Sequence, residues 1–307
     1  MRRIIIYIVV VIIVIFAMTS IAKRGKNTKT KTKIPMAASE VLFKEAQESK
    51  SKSPDQAVEQ FEKILSDFPE STQAQLALMD IAQVFHDKDQ KLQEKAALKR
   101  LVDNYPQGGL LYEAQQKLWA LNIAILFSPI KTEDSFMYVV QAGDSLYKIA
   151  KEHHTTVELL MRSNNLSDSL IRPGMKLKIS KAVFKIEVDK SDNLLTLRTD
   201  QEIVKIYRVA TGKDNCTPVG KFKILTGHRI KDPVWYKTGA IVPPGSPDNT
   251  LGTRWLGLSE PGYGIHGTTD PESIGKQVTQ GCVRMKNEQV EELFVIVPGE
   301  TEVIITD

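Results

Sequence analysis

The sequence predicts a multidomain chain. An N-terminal transmembrane helix comes first, then an all-α region of helical hairpins, a small α+β unit of βααβ order, and a C-terminal mainly-β, sandwich-like domain. Three observations predict this order. Ile4 to Ala22 is nineteen residues without a charge, long enough to cross most of a hydrocarbon core of about 30 Å. Apolar residues then recur at helical spacing to about Phe127. Beyond Lys181 they alternate with polar partners at period two, the signature of half-buried strands.

The 307 residues, 42% of them hydrophobic, suffice for two to three packed cores. Residues 1–37 hold eight of the 41 Lys and Arg and none of the 37 Asp and Glu, so the remainder has 33 bases against 37 acids. The basic balance therefore belongs to the N-terminal tail, and no nucleic-acid partner is expected. Arg2 and Arg3 precede the apolar run as in a signal anchor. Ser20-Ile21-Ala22 offers a small-x-small cleavage site, yet the run is longer than a usual signal core, and we read residues 1–22 as an uncleaved anchor in a membrane. Residues 23–37, rich in Lys and Thr, read as a basic flexible tether. Counting the bases after the span would keep the C-terminal side in the cytoplasm.

Residues 38–130 are helical by pattern. Ser53-Pro54-Asp55-Gln56 is a helix start, with Ser53 as N-cap, Pro54 at the first helical position and Gln56 as capping-box partner. Phe61-x-x-Ile64-Leu65-x-x-Phe68-Pro69 recurs as Leu98-x-x-Leu101-Val102-x-x-Tyr105-Pro106, an offset of 37 residues. The recurrence resembles a tetratricopeptide-type array, serving as a spacer or as a docking surface for a protein partner.

Residues 137–180 carry their own turn and cap signals. A strand from Tyr138 meets Gly143-Asp144, where Asp144 is positioned to cap a helix, and Thr155 with Glu158 makes a capping box for a second helix. Pro173-Gly174 turns the chain into a last strand, Lys176 to Ile179. This stretch closely resembles a LysM module. The resemblance implies a βααβ fold that binds N-acetylglucosamine-containing glycans, in a groove between Gly143, Asp144, Ser145 and Leu146 on one side and Ile171, Pro173 and Gly174 on the other. His153 and His154 fall in a solvated turn with no further ligand nearby, so no metal is expected.

In residues 183–307, Phe184, Ile186 and Val188, then Leu195 and Leu197, then Ile203 to Val209 read as antiparallel strands. Asn287 reads as the cap of a helix that turns Val290, Leu293, Phe294 and Val297 inward, and Glu302 to Thr306 as a closing strand. His228 falls in a loop. Between Tyr263 and Met285 the sequence places one histidine, His266, and one cysteine, Cys282, flanked by Gly281 and Arg284. A thiol nucleophile needs such surroundings, since a free thiol titrates near 8.5 and attacks only as thiolate. Gly281 lets the chain turn beside it, so that amide N–H groups can meet an oxyanion.

A Cys/His pair alone leaves several hydrolase classes open. The surrounding motifs are Ala-Thr-Gly-Lys at 210–213, Thr-Pro-Val-Gly-Lys-Phe at 217–222, Pro-Pro-Gly at 243–245 and Leu-Gly-Thr-Arg-Trp-Leu-Gly-Leu at 251–258. Together with the Tyr263 to Met285 segment they resemble the L,D-transpeptidase (YkuD) catalytic domain. The resemblance implies Cys282 as nucleophile, His266 as general base, the Gly267 carbonyl as the group fixing the imidazole tautomer, amides around Gly281 and Cys282 as oxyanion hole, and Arg284 as support for the cysteine loop. Tyr263, Thr279 and Gln280 are the substrate-binding candidates, Gln280 standing where the family often has a second histidine. No cofactor is implied. The implied substrates are peptidoglycan stem peptides, with glycan strands as the partner of the LysM module, and these require a bacterial cell-wall location against the charge count. Water in place of an amine acceptor would make the same domain a carboxypeptidase or crosslink hydrolase, and a degenerate site would leave a binding scaffold. A disulfide between Cys216 and Cys282 would abolish the chemistry; we read Cys282 as free.

Overall fold

The computed structural model describes residues 36–237 and 239–307. The expected span over residues 1–22 and nearly all of the 23–37 tether lie outside them. Among the described residues no helix is long and apolar enough to cross a membrane.

Among the described residues five helices come first: α1 (Met36–Lys50), α2 (Pro54–Asp67), α3 (Thr72–Asp87), α4 (Lys91–Asn104) and α5 (Leu111–Leu126). The recurring segments fall at equivalent places in α2 and α4, where Phe61, Ile64, Leu98 and Leu101 are buried in one core. Tyr105, which ends α4, donates its hydroxyl to the Pro69 carbonyl just after α2, 2.7 Å away. Ser53 stands at the N-cap of α2 without a capping bond from its hydroxyl, so the expected capping box is not formed. The cap that does form is Ser71, accepting from the Ala74 N–H at the start of α3.

Next come β1 (Ser135–Val139), α6 (Leu146–Glu152), α7 (Val157–Ser163) and β2 (Lys176–Ser180), with β1 and β2 antiparallel around their own small core. Both helix caps sit one residue later than the sequence suggests. Ser145 caps α6 and Thr156 caps α7, each accepting the backbone N–H three residues on. Asp144 is unavailable because its carboxylate accepts from the Gln141 N–H and the Tyr138 hydroxyl, which hold it below the usual carboxylate range. Glu158 reaches outward to Lys231 at 2.8 Å instead of closing a capping box. Of the turn histidines His154 is exposed as expected, but the His153 ring packs edge-on against Phe136 and Tyr138.

The C-terminal domain contains β3 (Lys185–Asp189), β4 (Leu194–Arg198), β5 (Ile203–Arg208), β6 (Thr211–Gly212), β7 (Gly220–Lys231), β8 (Trp235–Lys237), β9 (Ala240–Val242), β10 (Arg254–Leu258), β11 (Gly264–His266), β12 (Gln277–Thr279), β13 (Val283–Arg284), α8 (Asn287–Ile296) and β14 (Glu302–Thr306). Eight strands join in the order β13-β11-β10-β7-β14-β3-β4-β5. The sheet is mixed, not purely antiparallel: β14 runs parallel to β3, and β11 parallel to β13. The long β7 pairs with β14 through Gly220 to Lys223 and with β10 chiefly through Arg229 to Lys231. Two half-sheets thus share one strand and enclose a single core. His228 lies on this strand, exposed, and not in a loop.

The three regions pack on one another. Leu159 of α7 and Ile123 of α5 are buried in the core of the C-terminal domain. The Thr156 hydroxyl donates to the Val295 carbonyl of α8. Lys178, 2% exposed, donates to the Ile125 and Ser128 carbonyls at the end of α5, at 2.9 and 2.7 Å. A cation suits the negative end of a helix, but burial still lowers the Lys178 pKa to about 8.

Candidate active site

Parallel pairing of β11 with β13 sets Ile265 beside Val283 and His266 beside Arg284, which brings Cys282, one residue before β13, level with Gly264. The strand ends are tied further by paired backbone bonds of 2.8 Å between Ala210 and Arg284, and by the Met285 N–H on the His266 carbonyl, also 2.8 Å. Residues sixteen positions apart in sequence therefore reach one site because two very short strands run side by side.

The His266 Nδ1 lies 2.7 Å from the Gly267 carbonyl. A carbonyl only accepts, so Nδ1 carries the proton and Nε2 is left as the basic nitrogen. His266 is 3% exposed. Burial, with some help from the Arg284 charge, lowers its pKa to about 4. The Cys282 thiol donates to the Gly262 carbonyl at 3.7 Å. Burial pushes it above the ordinary thiol range, although the Gly264 N–H and Arg284 favour the thiolate. At neutral pH the resting pair is thus a neutral thiol and a neutral imidazole, suited to proton transfer during attack and not to a standing ion pair.

The cysteine turn is held by Thr279. Its hydroxyl accepts the Gly281 N–H at 3.2 Å and donates to the Cys282 carbonyl at 2.6 Å. Gly281 has φ +116°, and a Cβ there would lie 2.6 Å from Cε1 of Tyr263, so only glycine fits. Two expectations change as a result. Thr279 is 5% exposed and belongs to the turn rather than to a substrate-binding surface. The Gly281 N–H is taken by Thr279 and is therefore not free for an oxyanion. Gln280 is exposed, and Tyr263 is half-buried with its ring against Gly281. Arg284 donates from Nη1 to the Ser273 hydroxyl at 3.0 Å, bracing the segment that precedes the cysteine.

Asn287 is the residue most misjudged from sequence. Lys286 holds the N-cap position of α8. The Asn287 carboxamide instead accepts from Thr268 N–H (2.9 Å) and Thr253 N–H (3.2 Å) and donates to the Thr268 carbonyl (2.8 Å). It ties the histidine loop to α8. The signal available in the sequence was only a polar side chain at a helix start, which reads as a cap.

Both cysteines are free. Cys216 is exposed, and its thiol lies 3.9 Å from the Thr279 carbonyl, beside the turn that carries Cys282. Among the described residues no group of three or more His, Cys, Asp or Glu could hold a metal ion.

Of the glycan candidates, Gly143, Ser145, Pro173 and Gly174 are exposed, while Leu146 is buried and Ile171 packs on the module's core. The Gly174 N–H on the Val140 carbonyl, 2.8 Å, brings the two loops together. A separate hollow of about 420 Å³ lies among α3, α4 and α5, with Met79, Leu98 and Leu121 in its lining and the His86–Glu94 pair at 3.2 Å.

The YkuD family profile, an L,D-transpeptidase catalytic domain, matches residues 184–305, and the LysM domain profile matches residues 138–180. YkuD of Bacillus licheniformis, which bears the name L,D-transpeptidase provisionally, is 37% identical over 179 residues, covering 55% of this chain and 98% of that one. The chain belongs to the YkuD family of L,D-transpeptidases. Two further relatives, named with the same reserve, are YqjB of Bacillus subtilis, 43% identical over 126 residues (39% of this chain, 69% of that one), and YkuD of the same organism, 35% identical over 176 residues (55% and 97%). Among the described residues of this YkuD-family chain, five helices precede the LysM domain.

Proposed function

We propose that the chain is a peptidoglycan L,D-transpeptidase acting through a Cys282 thioester. The observation that carries this reading is the His266 imidazole, fixed through Nδ1 by the Gly267 carbonyl and so basic at Nε2, on the strand beside the one that Cys282 precedes. In the cycle, His266 Nε2 takes the thiol proton as Sγ attacks the carbonyl of the third stem residue. The oxyanion is met by the Cys282 N–H. Collapse breaks the bond to the terminal D-alanine, whose amine leaves with the proton from His266. An amine of a neighbouring stem then displaces Sγ, restoring the thiol and forming a crosslink.

The LysM domain suggests peptidoglycan binding by the same chain. Its burial against the catalytic domain, through Leu159 and Thr156, supports a fixed placement of glycan relative to Cys282 rather than a loose increase in local concentration. The reading puts residues 38–307 on the cell-wall side of a bacterial cytoplasmic membrane, anchored by residues 1–22. Protease digestion of intact spheroplasts tests that location, and protection of the folded domains refutes it.

Mass spectrometry of the full chain with a tetrapeptide muropeptide tests the chemistry. Loss of D-alanine with formation of a crosslinked dimer is expected. Release of D-alanine without dimer makes the enzyme a carboxypeptidase, and no acyl adduct on Cys282 removes the mechanism.

A further inference from the structure

Trp255 takes no part in the cycle above, yet it is built onto the base. It sits on β10 directly opposite His266 on β11, and the next pair on the same face is Gly257 opposite Gly264. The indole stacks on the imidazole, with ring centroids 6.0 Å apart and planes 23° from parallel. The two glycines make room for it: a Cβ at Gly264 would lie 2.6 Å from Cη2 and Cζ2 of the indole, and one at Gly257 would lie 3.0 Å from its Nε1. No L side chain fits at Gly264 without displacing the ring, and a Cβ at Gly257 would press on the His228 Cβ, 2.8 Å away, as well as on the indole. Gly264, under the indole, is also the residue whose N–H meets the Cys282 sulfur.

We infer that Trp255 is a positioning residue for the general base, holding the His266 ring plane and excluding water from one of its faces. The Gly267 carbonyl holds Nδ1 and the Leu251 carbonyl also acts on the imidazole, but such bonds grip the ring at its edge and leave the tilt of its plane open. A flat aromatic surface over the imidazole removes that freedom, so that Nε2 keeps one direction. An aromatic face also favours an imidazolium, which would work against a neutral base. Desolvation is the larger effect at this site, as it is the first cause of the low His266 pKa of about 4. The charged group acting on the imidazole is Arg284 of β13, itself facing Asp270. Neither is on β10. Removing the indole therefore changes solvation and ring order and leaves the local charges in place.

The inference rests on His266 being the base, and the test separates the two. Trp255→Phe, Trp255→Leu and Trp255→Ala are made in the full chain, and the His266 ring is followed by NMR titration, assigned with His266→Gln, alongside the pH profile of transpeptidation. The expected wild-type titration is near pH 4. Phe keeps it there and retains most of the activity, whereas Leu and Ala move it up toward the ordinary value of 6.5 and lower kcat about tenfold or more with KM nearly unchanged. Leu refills only part of the indole's volume and still admits water to the ring face, so it reports on the ring even if Ala fails to fold. An unshifted His266 titration in a folded Leu or Ala variant overturns the positioning role. A shifted titration with an unmoved acid limb of activity overturns His266 as base while leaving Trp255 as its cover.

Discussion

The hydroxyl of Thr279 joins both sides of the turn that presents Cys282, accepting from the Gly281 N–H and donating to the Cys282 carbonyl. A Val side chain has nearly the same shape and can do neither. Loss of a buried hydrogen bond with both partners left unmet costs about 1–3 kcal/mol. Thr279→Val is therefore expected to lower kcat/KM by roughly 10- to 100-fold, with Thr279→Ser close to wild type and unchanged circular dichroism in both. Equal activity of the Val variant would show that the turn holds without its hydroxyl.

Protonation of His266 should set the acid limit of activity. Its folded pKa of about 4 lies below the ordinary 6.5, so the base stays neutral well into acid, and the acid limb of kcat/KM is expected near pH 4. The same shift affects stability. Between pH 6.5 and 4 the unfolded chain takes up a proton that the folded one refuses, so the stability held above 6.5 is lost as pH falls through that window. The loss is about 3 kcal/mol at 1.36 kcal/mol per pKa unit. Denaturant unfolding at pH 7.5 and 4.5, compared with His266→Gln, checks it. A variant with the same pH slope as wild type would assign the slope to other groups.

The strands of the C-terminal domain and helix α8 were legible in sequence because each buries one face, and burial on one face leaves a period. Ile186, Val188, Leu195, Leu197, Val290 and Leu293 are all buried as their spacing implied. The joining of two half-sheets by β7 was not legible, since a strand's partners are distant in sequence and no local pattern encodes them. The caps of α6 and α7 were read one residue early for a related reason. Asp144 and Ser145, like Thr155 and Thr156, are adjacent residues that can each cap, and the choice was made by Tyr138 drawing Asp144 away. Cys282 and His266 stood out by chemistry. Asn287 and Thr279 did not, because their roles depend on backbone groups that only the folded chain brings near.

The packing of the LysM domain on the catalytic domain gives a stability prediction. Leu159 lies on α7, but its buried neighbours belong to the catalytic core, while Leu160 serves the module's own core. Leu159→Asp buries an unpaired charge at the contact and spares the module. Wild type is expected to lose both domains in one thermal transition, and the variant to show two, with new proteolysis near residues 181–184. A single transition in the folded variant would mean that the ion pair of Glu158 with Lys231 and the Thr156 bond suffice to couple them.

The two cysteines should behave oppositely. Cys282 is half-buried, hydrogen-bonded to Gly262 and level with the Gly264 amide. Cys216 is exposed, and its thiol donates only weakly, to the Thr279 carbonyl. Cys282→Ala is expected to abolish turnover while leaving wall binding by the LysM domain intact. A carbapenem should acylate the wild type once per chain, and the adduct should be absent from Cys282→Ala. Cys216→Ala should retain activity within about fivefold of wild type, since the loss of one weak, part-buried hydrogen bond costs at most about 1 kcal/mol. It should also leave the carbapenem adduct unchanged. Because Cys216 borders the turn that Thr279 holds, a bulky substitution there is a sharper probe: Cys216→Phe should lower activity by crowding Gly212, where the Cys216 sulfur already lies 2.6 Å from the position a Cβ would occupy. Full activity that appears only after reduction of the wild type, and without reduction in no variant that keeps Cys282 and Cys216 together, would show that the two sulfurs pair in the isolated protein.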